Sequence, residues 1–170
     1  MKILVMNGSP RRNGNTAAFA AAFKGGAESK GHEVEIVPVG NMKIDGCIGC
    51  EYCHTKGNGK CCRQDDMQSL YPKLAAADMV VFASPVYYFA FTGQMQNAIT
   101  RFYAPWQPAA KKYAMILSSG SPNVYDALVA QYKGFLEFIK ASDCGIMTFY
   151  GDDQTSEKNL AAVRDFGASL

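Results

Sequence analysis

No apolar run in this sequence approaches the length of a membrane span. The amino terminus carries Lys2 and then only four apolar residues, Ile3 to Met6, before Asn7, too few for the apolar core of a signal peptide. A strong charge imbalance is missing as well. A net charge of +2 argues against bulk binding to nucleic acid or to an anionic membrane, so each basic residue has to be judged in its own surroundings. Repeats, low-complexity segments and a second domain are also absent. The expectation is a soluble, cytoplasmic chain whose six cysteines are mostly reduced thiols or ligands and not disulfides.

What remains is an ordinary globular composition, 48% apolar and 19% charged. At 170 residues the chain can bury about 70% of the surface its unfolded form exposes, so we expect one domain over 1–170 with a sizeable core. Its first sixteen residues organise the rest. A short apolar strand, Ile3 to Met6, empties into Asn7-Gly8-Ser9-Pro10-Arg11-Arg12-Asn13-Gly14-Asn15-Thr16, and an Ala-rich helix follows. Such a strand–loop–helix junction is an anion site. Gly8 and Gly14 allow tight turns, Ser9, Asn13, Asn15 and Thr16 offer side-chain donors beside the unpaired N–H groups of the helix start, and Arg11 and Arg12 add positive charge.

Phe19, Phe23 and Ala27 recur at helical spacing, and Gly31 is placed to end that helix. His32 reads as a solvated turn residue without a role. Val34, Ile36, Val37 and Val39 form a second strand stopped by Pro38 and Gly40. Residues 41–64 show no periodicity and are rich in Gly, Cys, Lys and Asn, an inserted loop of the length that usually has a function. Asp65 or Asp66 caps the next helix, which carries Met67, Leu70, Tyr71 and Leu74, with Pro72 kinking it or delaying its start. Met79 to Ala83 is a strand covered on both faces. After it come Ser84-Pro85-Val86-Tyr87-Tyr88-Phe89-Ala90-Phe91, then Thr92 as a cap and a helix burying Met95, Ala98, Ile99 and Phe102. A turn through Pro105, Trp106 and Pro108 follows, and Tyr103 and Trp106 read as core or subunit-contact residues. A fourth strand, Tyr113 to Leu117, runs into Ser118-Ser119-Gly120-Ser121-Pro122. A helix with Leu128, Tyr132, Phe135, Phe138 and Ile139 on its core face, a strand from Gly145 to Tyr150 and a helix marked by Leu160, Val163 and Phe166 complete the chain. Five strands alternating with five helices predict an α/β fold with a doubly wound, five-stranded parallel sheet and helices on both faces.

Ligands of such sheets bind beyond the carboxyl ends of the strands, where the strand order reverses. Three loops meet that condition: the first carries anion donors, the one after Ser84 aromatics, and the one after Leu117 small polar residues. A phosphate at one end and a flat aromatic body at the other point to flavin mononucleotide. Rivals fail on spacing. Five residues separate Gly8 from Gly14 and Asn15 stands where a triphosphate-binding loop needs lysine, so ATP hydrolysis is not expected. The Gly-x-Gly-x-x-Gly fingerprint is absent, which makes NAD(P)H a transient substrate and not a resident cofactor. No cysteine nucleophile lies in the first loop, and no Ser/His/Asp or paired-carboxylate set is visible.

Gly8 to Thr16, together with Ser84-Pro85-Val86-Tyr87-Tyr88, resembles the NADPH-dependent FMN reductase family of flavodoxin-like proteins over nearly the whole chain. The resemblance implies that Ser9, Arg11, Asn15 and Thr16, in a loop that also contains Asn13 and Gly14, hold the FMN phosphate. Pro85, Val86, Tyr87, Tyr88 and Phe89 would border the isoalloxazine ring, and Ser119, Gly120 and Ser121 would approach its far edge. It further implies a homodimer or homotetramer. The activity expected is transfer of electrons from NAD(P)H to a small acceptor such as a quinone or a flavin. The competing class is a non-enzymatic FMN electron carrier docking on protein partners, against which the lack of strong acidity speaks.

Cys47-Ile48-Gly49-Cys50-Glu51-Tyr52-Cys53 and then Cys61 place four thiols where they can converge on an iron–sulfur cluster or on zinc. The pattern resembles the iron-sulfur flavoproteins, a branch of the same family with a four-iron (4Fe-4S) cluster close to the flavin. Metal-free or redox-active thiols remain open as a third reading, and the neighbouring Cys62 leaves the fourth ligand undecided. Cys144 reads as a buried structural thiol.

Overall fold

The computed structural model describes residues 1–105 and 109–170; Trp106 and Pro108 lie outside them. Five parallel strands, β1 (Lys2–Asn7), β2 (Glu33–Val37), β3 (Met79–Pro85), β4 (Lys112–Ser119) and β5 (Ser142–Tyr150), pair in the order β2-β1-β3-β4-β5. The sheet is the five-stranded, all-parallel, flavodoxin-like one expected above, and this strand order belongs to that fold. The order reverses between β1 and β3, whose carboxyl ends leave a crevice for a ligand.

Alternation along the strands divides the core between two faces. Leu4 and Met6 of β1, Val80 and Phe82 of β3, and Tyr113, Met115 and Leu117 of β4 point one way, under α2 (Met67–Ala76), α3 (Gly93–Thr100) and α4 (Asp126–Ile139). Ile3, Val5, Met79, Val81, Ala114 and Ile116 point the other way, under α1 (Asn15–Glu28) and α5 (Glu157–Ala168). Every residue of β3 is buried, as its unbroken apolar run requires. Phe82 anchors the first face, with ring centroids of Tyr113 at 5.7 Å, Phe135 at 6.0 Å, Phe91 and Phe102 at 6.1 Å and Tyr132 at 6.3 Å, all tilted or edge-on.

Several sequence expectations need correction. Val39 leaves β2 and enters a single 3-10 turn, Val39–Asn41, because Pro38 ends the ladder before it. Phe138 is 69% exposed; Leu136 takes the inner position on α4, being four residues from Tyr132 and three from Ile139. α2 runs through Pro72 from Met67 without a break in the assigned helix. Asp66 makes no cap bond there: its carboxylate accepts from the Lys43 N–H at 2.7 Å, while Asp65 Oδ1 accepts from the Met67 N–H at 3.1 Å. His32 is not a free turn residue. Its Nδ1 meets the Met1 amino group at 3.2 Å and its Nε2 meets the Leu170 carbonyl at 3.1 Å. Cys144 is only half-buried in β5. Thr92 does cap α3, its Oγ1 accepting from the Met95 N–H at 3.2 Å.

Candidate functional site

The loop between β1 and α1 is braced from all sides. Ser9 N–H donates to Asn7 Oδ1 at 3.0 Å, Thr92 Oγ1 donates to the Gly8 carbonyl at 2.7 Å, and Asn41 Nδ2 donates to the Pro10 carbonyl at 2.9 Å. Gly8 and Gly40 are needed for close approach, not for a special backbone angle. A Cβ on Gly8 would lie 2.9 Å from Met95 Cβ, and one on Gly40 would lie 2.2 Å from the Ser9 carbonyl oxygen. Gly14, expected as a turn residue, has an extended backbone (φ −85°, ψ 175°) as the N-cap of α1, and no side chain caps that helix. The N–H groups of Asn15 and Thr16 consequently have no partner among the described residues.

The expected phosphate donors divide into two groups. Ser9 is buried, and its Oγ accepts from the Arg11 N–H at 3.2 Å; Thr16 is buried, with Oγ1 3.1 Å from Ser118 Oγ. These two hydroxyls brace the loop. Arg11 and Asn15 instead line a cleft of about 290 Å³, which Pro85, Val86 and Tyr87 border on the β3 side and Ser119 and Gly120 on the β4 side. Asn13 is exposed and outside the cleft lining. Tyr88 and Phe89 occupy the tip of a two-residue hairpin turn closed by Tyr87 and Ala90, with φ of 50° and 64°, and Tyr88 is 97% exposed. Left-handed backbone at two successive aromatics is costly, about 1–3 kcal/mol each. Ser121 lies beyond the lining and contributes its carbonyl, which accepts from Ser119 Oγ at 2.6 Å.

Sequence reasoning missed four cleft residues, Ser118, Gly151, Asp152 and Gln154. The last three follow β5, the one strand end whose loop was not examined for a ligand, although Gly151-Asp152-Asp153 carries a turn signal. Gln154 is 7% exposed; its Nε2 donates to the carbonyls of Ser119 at 3.2 Å and Gly151 at 2.7 Å, and its buried Oε1 has no partner. Two carbonyls around the nitrogen fix the amide orientation, so the free atom is an acceptor. Unpaired donors and an arginine from the first loop, an apolar wall of Pro85, Val86 and Tyr87 and the amide of Gln154, brought to one cleft, suit an anionic, ring-bearing ligand such as FMN.

The cysteine loop forms a second cavity. Cys47, Cys50, Cys53, Cys61 and Cys62 line it together with Arg63, Arg101 and Tyr103. Among the described residues no three Cys, His, Asp or Glu side chains come together as ligands of a single metal ion. Cys50 Sγ lies 3.7 Å from Cys62 Sγ, and the Tyr52 backbone N–H, followed by the Cys62 thiol, lowers the Cys50 pKa. Burial raises that of Cys53. Tyr103, expected in the core or at a subunit contact, belongs to this cavity: its hydroxyl donates to Glu51 at 2.9 Å and its ring meets His54 edge-on at 4.5 Å.

Arg101, 1% exposed, is paired with Asp65, Nη1 at 2.7 Å and Nη2 at 3.2 Å, and Nη1 also donates to the Asp45 carbonyl at 2.8 Å. Burial pulls the Asp65 pKa up, but the bonds from Arg101 and from the Asp45 N–H outweigh it and hold the carboxyl below its usual value. The buried Nε atoms of Arg101 and Arg63 have no partner. A sulfur-lined cavity with leftover cationic donors fits an anionic sulfur group better than a bare cation. The helix α3 links the two cavities. Thr92 at its head supports the first loop, while Asn97 Nδ2 donates to the Ile44 carbonyl and Thr100 Oγ1 accepts from the Cys47 N–H at its far end, about 12 Å along the axis.

Comparison with known proteins agrees with this geometry. An iron-sulfur flavoprotein of Archaeoglobus fulgidus is 41% identical over 101 residues, which is 59% of this chain and 45% of that protein. One from Methanocaldococcus jannaschii is 39% identical over 101 residues, 59% of this chain and 50% of that protein. The chain thus spans about half the length of the curated relatives it matches. In fold it is similar to Smu.1420 of Streptococcus mutans (TM-score 0.80, 16% identity, all of both chains). It is also similar to the NAD(P)H:quinone oxidoreductase of Methanothermobacter marburgensis (TM-score 0.70, 15% identity, 100% of this chain and 96% of that one). No helix among the described residues is long and apolar enough to cross a membrane. The braced loop after β1, the reversal of strand order beside it and a sequence match to the NADPH-dependent FMN reductase profile over residues 1–154 lead to one assignment: the chain belongs to that family.

Proposed function

We propose that the chain is an FMN-dependent oxidoreductase that passes electrons from NAD(P)H to a small acceptor, a quinone or a second flavin, and that Cys47, Cys50, Cys53 and Cys61 hold a 4Fe-4S cluster. The observation that carries the reading is the cleft at the strand-order reversal, which Arg11 and Asn15 line together with Pro85, Val86 and Tyr87 and with Gln154, beside the N–H groups of Asn15 and Thr16 that have no partner among the described residues. FMN held by these residues would supply the hydride-accepting and electron-donating chemistry of the reaction.

The protein's part is binding, orientation and exclusion of water. Arg11, Asn15 and the head of α1 neutralise the phosphate. Ser9 and Thr16 keep that loop in place through Arg11 and Ser118, so the donors are set before the ligand arrives. Pro85, Val86 and Tyr87 offer an apolar wall to the ring, and Ser119, Gly120 and Gln154 offer polar atoms to its far edge. The iron-sulfur flavoproteins among the relatives support the cluster, as does the cavity that gathers all four cysteines. Large exposed apolar side chains at Tyr88, Phe89 and Phe138 support a homodimer or homotetramer.

The test is anaerobic oxidation of NADH and NADPH by the purified protein with FMN and a benzoquinone. Turnover that requires both FMN and the quinone is expected. Tight FMN binding without turnover on any quinone or flavin would contradict the enzymatic reading.

A further inference from the structure

We propose that Arg101 is the positioning residue of the cysteine cavity: its two Nη atoms clasp the ends of the loop from Asp45 to Asp65, and its Nε, the one guanidinium nitrogen with no bond among the described residues, donates to an anionic sulfur, a thiolate or a cluster sulfide. The second half of this statement rests on the cluster reading above.

The clasp is fully drawn in the hydrogen bonds. Nη1 donates both to the Asp45 carbonyl at 2.8 Å and to Asp65 Oδ2 at 2.7 Å, and Nη2 donates to Asp65 Oδ1 at 3.2 Å. The Asp45 N–H also donates to Asp65 Oδ2 at 3.1 Å, and Arg63 Nη1 donates to Asp45 Oδ2 at 2.8 Å. Residues at the two ends of a twenty-residue segment thus meet at one guanidinium. The cysteines all lie between those ends, at positions 47, 50, 53, 61 and 62. Helix α3 fixes the backbone from which the guanidinium extends, since Arg101 directly follows its last residue and the Arg101 carbonyl accepts from the Tyr71 hydroxyl at 3.2 Å.

Arg101 lines the thiol cavity, is 1% exposed, and keeps a buried Nε–H without an acceptor among the described residues, a desolvation penalty that a ligand taking up the donor would relieve. Arg63 Nε repeats the pattern on the same cavity. Thiolates and sulfides are acceptors of the right sign, and hydrogen bonds and positive charge beside a cluster raise its reduction potential.

Arg101→Lys keeps the charge but can neither span Asp45 and Asp65 as a fork nor present an Nε–H. The test compares it with wild-type protein after anaerobic reconstitution with iron and sulfide, reading iron and sulfide per chain, the cluster's reduction potential and the rate of thiol labelling without metal. FMN binding reports folding. Asp65→Glu, which keeps the carboxylate's charge but displaces the clasp, provides the labelling comparison should the lysine variant fail to fold.

Wild type is expected to take up about four irons and four sulfides per chain. The variant should bind FMN normally, lose at least half of that iron and sulfide, show a more negative potential in what remains, and label buried Cys53 at least tenfold faster. Wild-type iron content and potential in the variant would overturn the donor role, and unchanged labelling would overturn the clasp. Wild-type protein that takes up no iron or sulfide would sink the cluster reading and the donor role with it, while the labelling arm would still decide the clasp.

Discussion

The hydroxyl of Tyr113 is buried in the aromatic core around Phe82 with no hydrogen-bond partner, and burial pushes its pKa far above the usual value. An unsatisfied hydroxyl of this kind costs about 1–3 kcal/mol. Tyr113→Phe removes it without opening a cavity and should raise the melting temperature by about 2–4 °C per kcal/mol regained. A drop on thermal denaturation would mean that the hydroxyl has a partner. Asp65 makes a second residue-scale prediction. Its carboxyl is held below the ordinary aspartate value of 3.8 despite burial, so its ion pair adds stability that is present above that value and lost as pH falls through the lower folded value. Asp65→Asn leaves Arg101 as an uncompensated buried charge and should cost about 3–5 kcal/mol at neutral pH. It should also flatten acid unfolding below pH 3.8; an acid profile of unchanged steepness would contradict this.

At the scale of elements, the first loop is held by close backbone contact more than by its own turns. Gly40→Ala places a Cβ where the Ser9 carbonyl stands, so either the 3-10 turn or the loop must move. We expect FMN affinity to fall at least tenfold while the sheet survives; unchanged affinity in a folded variant would show that the loop tolerates displacement. The alternating elements and the three ligand-facing loops were legible from apolar periodicity and from the Gly, Pro and Ser that end each strand. The division of labour within the first loop was not. Nothing local distinguishes Ser9 and Thr16, which brace the loop, from Arg11 and Asn15, which face the cleft, because the partner of Thr16 is Ser118, 102 positions away. Gln154 was hidden for the same reason: its orientation comes from Ser119 and Gly151. Phe138 misled because periodicity alone does not separate it from Leu136 when both are apolar and two residues apart.

For the whole molecule, five parallel strands in the order β2-β1-β3-β4-β5 bring the three loops to one edge and make α3 the shared support of the cleft proposed for FMN and of the cysteine cavity. The sheet supplies a rigid base, and the loops supply the chemistry. The parallel sheet was readable from the alternation of strands and helices, but the order of its strands was not, because no periodicity says which strands pair. The buried clasp of Arg101 on Asp45 and Asp65 was not legible, because an ion pair across 36 positions and a bond to a backbone carbonyl across 56 leave no local pattern.

The central claim is that the loop from Gly8 to Thr16 is a phosphate site at the end of a flavin cleft. Equilibrium binding of FMN and of riboflavin, which lacks the phosphate, to wild-type protein and to Arg11→Ala tests it most directly. Charge-assisted hydrogen bonds are worth about 1.5–3 kcal/mol. Wild-type protein should therefore bind one FMN per chain and prefer it to riboflavin by at least tenfold, and Arg11→Ala should lose about tenfold or more in FMN affinity while its riboflavin affinity stays the same. Equal affinity of the wild-type protein for the two flavins, or no binding of either, would contradict the account.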